Sequence, residues 1–538
     1  MTTKRAALSL SLAFWLAPHF LLQAADTTSV TYPYLGVTHI TRVGSVPDFP
    51  RNVKIHVIKI DLNAPSLSFK FTPQAGTRDT LRRTTLQFLN DQQAQLAING
   101  SFFLPFPSSD FNSALVGFAA SNGNVYSPFE LPTQNYALVR DSPAINIDPA
   151  NHASIVHRDP AFSDGTCFSL CQAVDGLHVL ENVTLWNAFA GSGQIVTNGV
   201  KSIPCYVDAT HPDCVLVGPG PANYSNSNSW YELVNARTSI GLGCDNHTLV
   251  LFTVDATNGS SGMRVSEVAD LLIRDYGVCN ALNMDGGGST SLAMVDPATG
   301  IAGFLNSSSD NPAGRANASG LAVYAIRDTH APVTTALVSP PHNAAGWNNS
   351  SVTVTLNAED NPGGIVKQLE FSLSGAQTAA AQVVTGHTAS FNVVNDGVTN
   401  ISYFATDVAG NVEPTQSLTV KIDRTAPVIS GMPAPGCELW PPNHKLVQVG
   451  IVNAADALSG LAPASLQVSG ASNEPLDSGD PAIVITPNGS GGFIVQLQAD
   501  RLGKGTGRIY TLTATATDLA GNSTTATASC RVPHDHGK

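Results

Sequence analysis

Apolar residues along this chain fall in short runs separated by Gly, Pro, Asn and Asp, a pattern of strands and turns more than of long helices. Leu249-Val-Leu-Phe-Thr-Val254 is nearly all apolar and predicts a buried strand. Residues 53–62, 66–72 and 95–99 predict three more. Residues 267–276 change period: Val268, Leu271 and Leu272 share one face of a predicted amphipathic helix. Ser266 suits its N-cap, Glu267 and Asp270 suit its positive end, and Gly277 suits its stop. A second helix is predicted over residues 80–91, with Leu81, Leu86 and Leu89 apolar. A strand over residues 279–285 runs into Gly286-Gly287-Gly288.

Beyond residue 327 the pattern repeats. Asp328-Thr-His-Ala-Pro332 and Asp423-Arg-Thr-Ala-Pro427 share one frame, and Thr406-Asp-Val-Ala-Gly-Asn411 and Thr517-Asp-Leu-Ala-Gly-Asn522 share another. Residues 350–357 and 510–517 alternate with period two, as half-buried strands do. Two modules of about a hundred residues with short strands and frequent turns predict immunoglobulin-like sandwiches, similar to the Ig-like repeats of many secreted bacterial proteins. The expected organisation is a signal peptide at 1–25, an α+β catalytic domain at 30–327 with helices packed on a mixed sheet, and Ig-like modules at 328–423 and 424–533.

Composition narrows the function classes. The 538 residues include 46 glycines and 34 prolines, and only 12% are charged. A net charge of −13 argues against nucleic acid and against a polybasic membrane contact. Lys4 and Arg5 precede an apolar run ending near Leu22, then Ala24 and Ala25, which predicts a cleaved secretory signal. Pro18 and His19 interrupt that run and disfavour a membrane anchor. The expected product is exported, periplasmic or extracellular, and not an integral membrane protein. Eight cysteines suit that compartment. Nearest-neighbour pairing gives Cys167–Cys171, Cys205–Cys214, Cys244–Cys279 and Cys437–Cys530, although connectivity does not follow from sequence.

Four polar clusters could carry chemistry. Asn99-Gly100 ends a predicted strand, which alone is more often a turn. Arg237 enters an apolar strand, where an arginine is usually structural but can also grip a phosphate. Asp285 precedes three glycines, Ser289 and Thr290; a turn needs fewer glycines, whereas a close backbone approach uses them. Arg315 and Asn317 precede the predicted strand 319–326. No His/Cys spacing supports a transition metal and no cofactor is expected. A divalent cation such as calcium is left open at Asp285 and Asp255, while Asp407 and Asp518 read more simply as Asx turns.

In this order the clusters resemble the phosphodiester glycosidase family, the group that contains the mammalian uncovering enzyme. The matching elements are Asn99-Gly-Ser-Phe-Phe103, Arg237-Thr-Ser-Ile-Gly241, Gly262-Met263 with Glu267, Ala281-Leu-Asn-Met-Asp-Gly-Gly-Gly-Ser289, and Arg315 with Asn317. The chain departs from the family at Asp255-Ala-Thr-Asn-Gly259, where Asp-Gly-Arg is common, and at Gly314, where Glu is frequent. The resemblance implies hydrolysis of a sugar-1-phosphodiester of the GlcNAc-1-phosphodiester kind, at the anomeric carbon. Asp285 would face that carbon, with Glu267 as the second carboxylate or, equally, a helix-dipole partner. Arg237 and Arg315 would clamp the phosphate. Asn99, Gly100, Asn283, Gly286, Gly287, Gly288, Ser289 and Thr290 would contact substrate. Two other readings remain: a non-catalytic surface adhesin or carbohydrate-binding protein using its Ig-like modules on polysaccharide, and a hydrolase of another envelope phosphodiester polymer.

Overall fold

The computed structural model describes residues 26–45, 51–129, 142–161, 179–203, 206–208, 211–215, 233–475 and 481–535. The expected signal segment lies outside them, as do Cys167, Cys171, Cys205 and the side chain of Cys214. The chain divides into two compact units, Met1–Asp328 and Thr329–Lys538.

The first unit is mostly β-structure. An eight-stranded sheet runs in the order Thr27–Tyr34, Val37–Ser45, Asn52–Asp61, Thr248–Val254, Arg237–Gly243, Val278–Asn283, Gly193–Thr197, Val200–Lys201. A five-stranded sheet has the order Ala302–Phe304, Leu292–Val295, Leu96–Asn99, Gly320–Tyr324, Ser68–Phe71. One core joins them, with Ile58, Ile240, Leu251 and Leu282 from the first sheet against Ile98, Leu292 and Leu321 from the second. The other face of the large sheet packs on helix α2 (Val265–Tyr276) through Val250, Phe252, Val268, Leu271 and Leu272. Helix α1 (Thr85–Gln92) covers the outside of the five-stranded sheet through Phe88 and Leu89.

This corrects the expected mixed sheet. The pairings of both sheets are antiparallel, and α1 and α2 are the α-helices of the described residues. Parallel neighbours need a crossover, usually a helix, between each pair of strands, and two helices cannot supply many. The helix ends also differ from expectation. Thr80–Leu81 pairs with Asn112 and Ser113 as a strand, so α1 starts only after Thr84. Thr84 then forms a capping box, its hydroxyl accepting from Gln87 N (3.1 Å) and its own N–H donating to Gln87 Oε1 (3.0 Å). Arg264, not Ser266, is the N-cap residue of α2, because the Glu267 carboxylate reaches back to Arg264 N (2.7 Å). Gly277 ends α2 in the left-handed conformation, φ 67°.

Disulfides join Cys244 to Cys279 and Cys437 to Cys530. The first ties the exit of Arg237–Gly243 to the strand that leads to the glycines.

In the second unit, residues 333–422 form sheets of three and four strands and residues 428–533 form two sheets of four. Buried Val352, Leu356, Leu369 and Ile401 fill the first core; Val495, Leu497, Tyr510 and Leu512 fill the second. The Ala-Gly-Asn turns are Asx-closed: Asp407 accepts from Asn411 N and Nδ2 (both 2.8 Å), and Asp518 from Asn522 N (2.7 Å) and Nδ2 (2.8 Å). Asp423, Asp456 and Asp518 place carboxylate oxygens within 4.8 Å of one another. Main-chain donors serve each of them, from Ser459 to Asp423 (2.9 Å), Gly460 to Asp456 (2.7 Å) and Gly521 to Asp518 (2.6 Å).

Candidate active site

The glycine segment is where the chain crosses from the large sheet to the smaller one. Met284 N still bonds Thr238 O (2.9 Å) in the large sheet, while Asp285 N bonds Gly100 O (3.2 Å) at the end of Leu96–Asn99. A 3-10 turn over Gly287–Ser289 follows, and Leu292–Val295 then pairs with Leu96–Asn99. Such a crossing leaves main chain without sheet partners, so side chains must serve it. Asn99 does much of this. Its Nδ2 donates to Asp285 O (2.7 Å), and its Oδ1 accepts from Thr238 Oγ1 and Ser291 N (both 2.9 Å). Asn99 is fully buried, so its Asn-Gly-Ser sequon cannot carry a glycan in this fold.

The glycines act at three points. Gly287 has φ 59°, which favours glycine. At Gly288 a Cβ would overlap the Asp310 carboxylate. Gly286 lies over Ala236 and Arg237, where a Cβ would sit 3.0 Å from Ala236 O.

Asp285 and Arg315 come together here. The Asp285 carboxyl is pushed up to about 7. Burial is the largest cause; a hydrogen bond with Ser289, the Arg315 charge and the Gly286 N–H oppose it. Arg315 Nη1 donates to Ser289 Oγ (3.0 Å), Nη2 pairs with Asp310, and the guanidinium lies 4.6 Å from the Phe106 ring centre. Asn317 Nδ2 donates to Ser289 O and Ser291 Oγ (both 3.0 Å), which fixes the turn from below. Asn283 Oδ1, Thr290 Oγ1 and Asn317 Oδ1 are buried without a hydrogen-bond partner. Such atoms are uncommon in folded proteins and concentrate where function or a bound group needs them.

Two expected members sit differently. Arg237 is buried behind Gly286, its Nε donating to Met263 O (3.0 Å) and its Nη2 to Leu233 O. Glu267 pairs with Arg51 and caps α2, so its contacts are those of a helix-terminus carboxylate. Gly100 is a packing glycine, since a Cβ would meet Ser319 Oγ at 2.8 Å and the Phe71 ring at 2.9 Å. Asn283 Nδ2 binds Ser192 Oγ (2.8 Å). Asp255 is fully buried and pushed up by desolvation; it receives Asn306 Nδ2 and Ser307 N (both 3.2 Å) and so anchors the loop that carries Asp310. Phe106, Ser308 and Asp310 also border this turn, and no sequence motif of their own marks them. The surplus glycine at 288 was the signal for Asp310, because a glycine that no turn requires marks a close neighbour.

The raised Asp285 carboxyl makes a stability prediction. Its folded-state value lies above the ordinary 3.8, so its favourable contribution is complete below pH 3.8 and lost as pH rises to about 7. The full loss is on the order of 4 kcal/mol as an upper bound. Asp285→Asn should therefore gain stability over the native chain as pH rises from 4 to 7, then hold that gain. Urea unfolding at pH 4.5 and pH 8 reads this; a constant difference would contradict the assigned direction.

A buried carboxyl, a guanidinium and three consecutive glycines meet at the joint of the two antiparallel sheets. Residues 92–324 match the family described as phosphodiester glycosidase. No curated protein matches the chain. Among solved structures, a hypothetical protein from Synechocystis is 15% identical over 56% of this chain, with a TM-score of 0.39; the match spans 64% of that protein. The zebrafish N-acetylglucosamine-1-phosphodiester alpha-N-acetylglucosaminidase catalytic domain, auto-inhibited by its pro-peptide, is 17% identical over 56% of this chain and 88% of its own, TM-score 0.35. Fibronectin(III)-like modules of Clostridium thermocellum CbhA are 14% identical over 38% of this chain and 100% of theirs, TM-score 0.17. No helix among the described residues is long and apolar enough to cross a membrane.

Proposed function

We propose that the domain hydrolyses a sugar-1-phosphodiester of the GlcNAc-1-phosphodiester kind at the C1–O bond, releasing the sugar and a phosphomonoester, and that the protein does so after export. The observation that carries this is Asp285: a buried carboxyl near pH 7 beside Arg315 and Ser289, within the domain that matches the family. A phosphomonoester is a good leaving group because its second ionisation lies near pH 6. It needs little protonation on departure, so one carboxylate suffices, as nucleophile at C1 or as base for water. Both roles need the ionised form, so turnover should rise with pH through about 7. Arg315 binds the phosphate and stabilises the charge that builds on it. Ser289, held by Arg315, orients the carboxyl. Asn99 positions Asp285 through its peptide oxygen and does not itself bind sugar in this assignment.

We assign Arg237 to supporting the chain beneath Gly286 and Glu267 to capping α2. Glu267→Gln should then leave kcat/KM within about threefold while lowering stability by about 2 kcal/mol, through the weakened Arg51 pair and cap. A loss of a hundredfold or more in a stable variant would return Glu267 to the chemistry.

The direct test is sugar release from a GlcNAc-1-phosphodiester by the full chain, with Asp285→Ala as control. Release that depends on Asp285 supports the reading. Binding of polysaccharide with no release would favour the carbohydrate-binding alternative, and release only from polymeric envelope phosphodiesters would change the substrate.

A further inference from the structure

Asp285 is only 8% exposed. No sugar ring can reach it until something moves. The segment that touches the turn beside it is 306–314. Its base is fixed where Asn306 and Ser307 donate to buried Asp255. Asn306 Nδ2 also donates to Thr290 O (3.1 Å), and Asn306 Oδ1 accepts from Leu292 N (2.7 Å). Farther out, Ser308 Oγ donates to Gly288 O (2.8 Å). Next along the segment, the Asp310 carboxylate pairs with Arg315 Nη2 and lies directly on Gly288, in space that any side chain there would fill. The far end of the segment turns at Gly314, φ 82°. Between these ends Asp310, Asn311, Pro312 and Ala313 are exposed, and Asn311 accepts from Ala313 N (2.9 Å) and Gly314 N (2.8 Å) within the segment itself.

Arg315 therefore already pairs with an anion that lies over Gly288, and that anion is the chain's own. A carboxylate and a phosphate oxygen pair compete for the same face of a guanidinium because both accept its parallel N–H groups. We propose that Asp310 is an internal occupant of the anion subsite, and that the 306–314 strap must lift it from Arg315 and Gly288 before a phosphate group can bind. This rests on the assignment of Arg315 to phosphate made above. It makes the strap a competitor: a phosphodiester carries one negative charge, as the Asp310 carboxylate does, so a substrate displaces Asp310 only with the added binding of its sugar, whereas inorganic phosphate does so through its second charge.

Inorganic phosphate binding to the full chain, measured by titration calorimetry at fixed salt, tests this without requiring turnover. Asp310→Asn keeps the shape of the side chain and removes its charge. It should tighten phosphate binding by about tenfold or more, because the competitor is weakened. Ser308→Ala removes the strap's bond to Gly288 and should tighten binding by a smaller factor, about two- to fivefold; it stands in if the first variant does not fold. Unchanged or weaker phosphate binding in both variants, or none in any form of the protein, would overturn the proposal. Tighter phosphate binding in Asp310→Asn without sugar release from a GlcNAc-1-phosphodiester would uphold the strap and sink the glycosidase reading. Sugar release with phosphate affinity unmoved would do the reverse.

Discussion

Asp285→Asn should lower kcat/KM on a sugar-1-phosphodiester by at least about a thousandfold while leaving the domain folded. The substitution preserves size and the hydrogen bond that Asn99 Nδ2 donates to Asp285, since that bond uses the main-chain oxygen. In the proposed mechanism it removes the group that must become an anion next to C1. Positioned acid-base or nucleophilic carboxylates contribute roughly 10²–10⁴ in rate, and one carboxylate working without a partner places the loss toward the upper end. The variant should also be at least as stable as the native chain at pH 8, because it no longer buries a carboxylate pushed up to about 7. Loss of rate with a gain in stability is what a strained functional group produces; a structural aspartate would lose both. Steady-state kinetics together with urea unfolding separate the two outcomes.

Asn99→Ala should have the largest stability effect, a loss of about 3–5 kcal/mol. Three groups lose their partner at once: Thr238 Oγ1, Ser291 N and Asp285 O, all buried. Each orphaned buried polar group costs about 1–3 kcal/mol, with relaxation reducing the sum. The three belong to both sheets, so the variant loosens their joint and should also lower turnover. Asn246→Ala, in an exposed loop, should cost only about 1 kcal/mol, the strain of alanine at φ 59°. An Asn99→Ala loss as small as that of the Asn246 variant would mean the joint is held by something else.

Much of the first unit was legible because burial is periodic. The run at Leu249-Val254 forms a strand at Thr248–Val254, and the predicted strand at 95–99 forms at Leu96–Asn99. The apolar face of Val268, Leu271 and Leu272 packs into the core beneath the large sheet. Local chemistry was harder where two caps competed. Ser266 looked sufficient, but a Glu three residues after Arg264 reaches its N–H and begins the helix earlier. Thr80 and Leu81 carry helix-compatible residues, yet pairing with Asn112 and Ser113 decides their state, and such pairing is non-local.

The site was legible in part for the same reason. Asp285 and Arg315 stand out by type and setting, and the fold brings them together. Arg237 has the same type and a similar setting, but it donates to the carbonyls of Leu233 and Met263. Carbonyl acceptors leave no trace in composition. Asp310 sits in Ser-Ser-Ser-Asp-Asn-Pro, which reads as an ordinary polar turn. Only contact with Gly288, distant along the chain, distinguishes it.

Hydrolysis of a GlcNAc-1-phosphodiester by the full chain in water enriched in oxygen-18 tests the central assignment most directly. Mass spectrometry of the products locates the bond that breaks. Asp285 acting at the anomeric carbon predicts label in the released sugar and none in the phosphomonoester. Label in the phosphate, or sugar release that persists in Asp285→Asn, would contradict it.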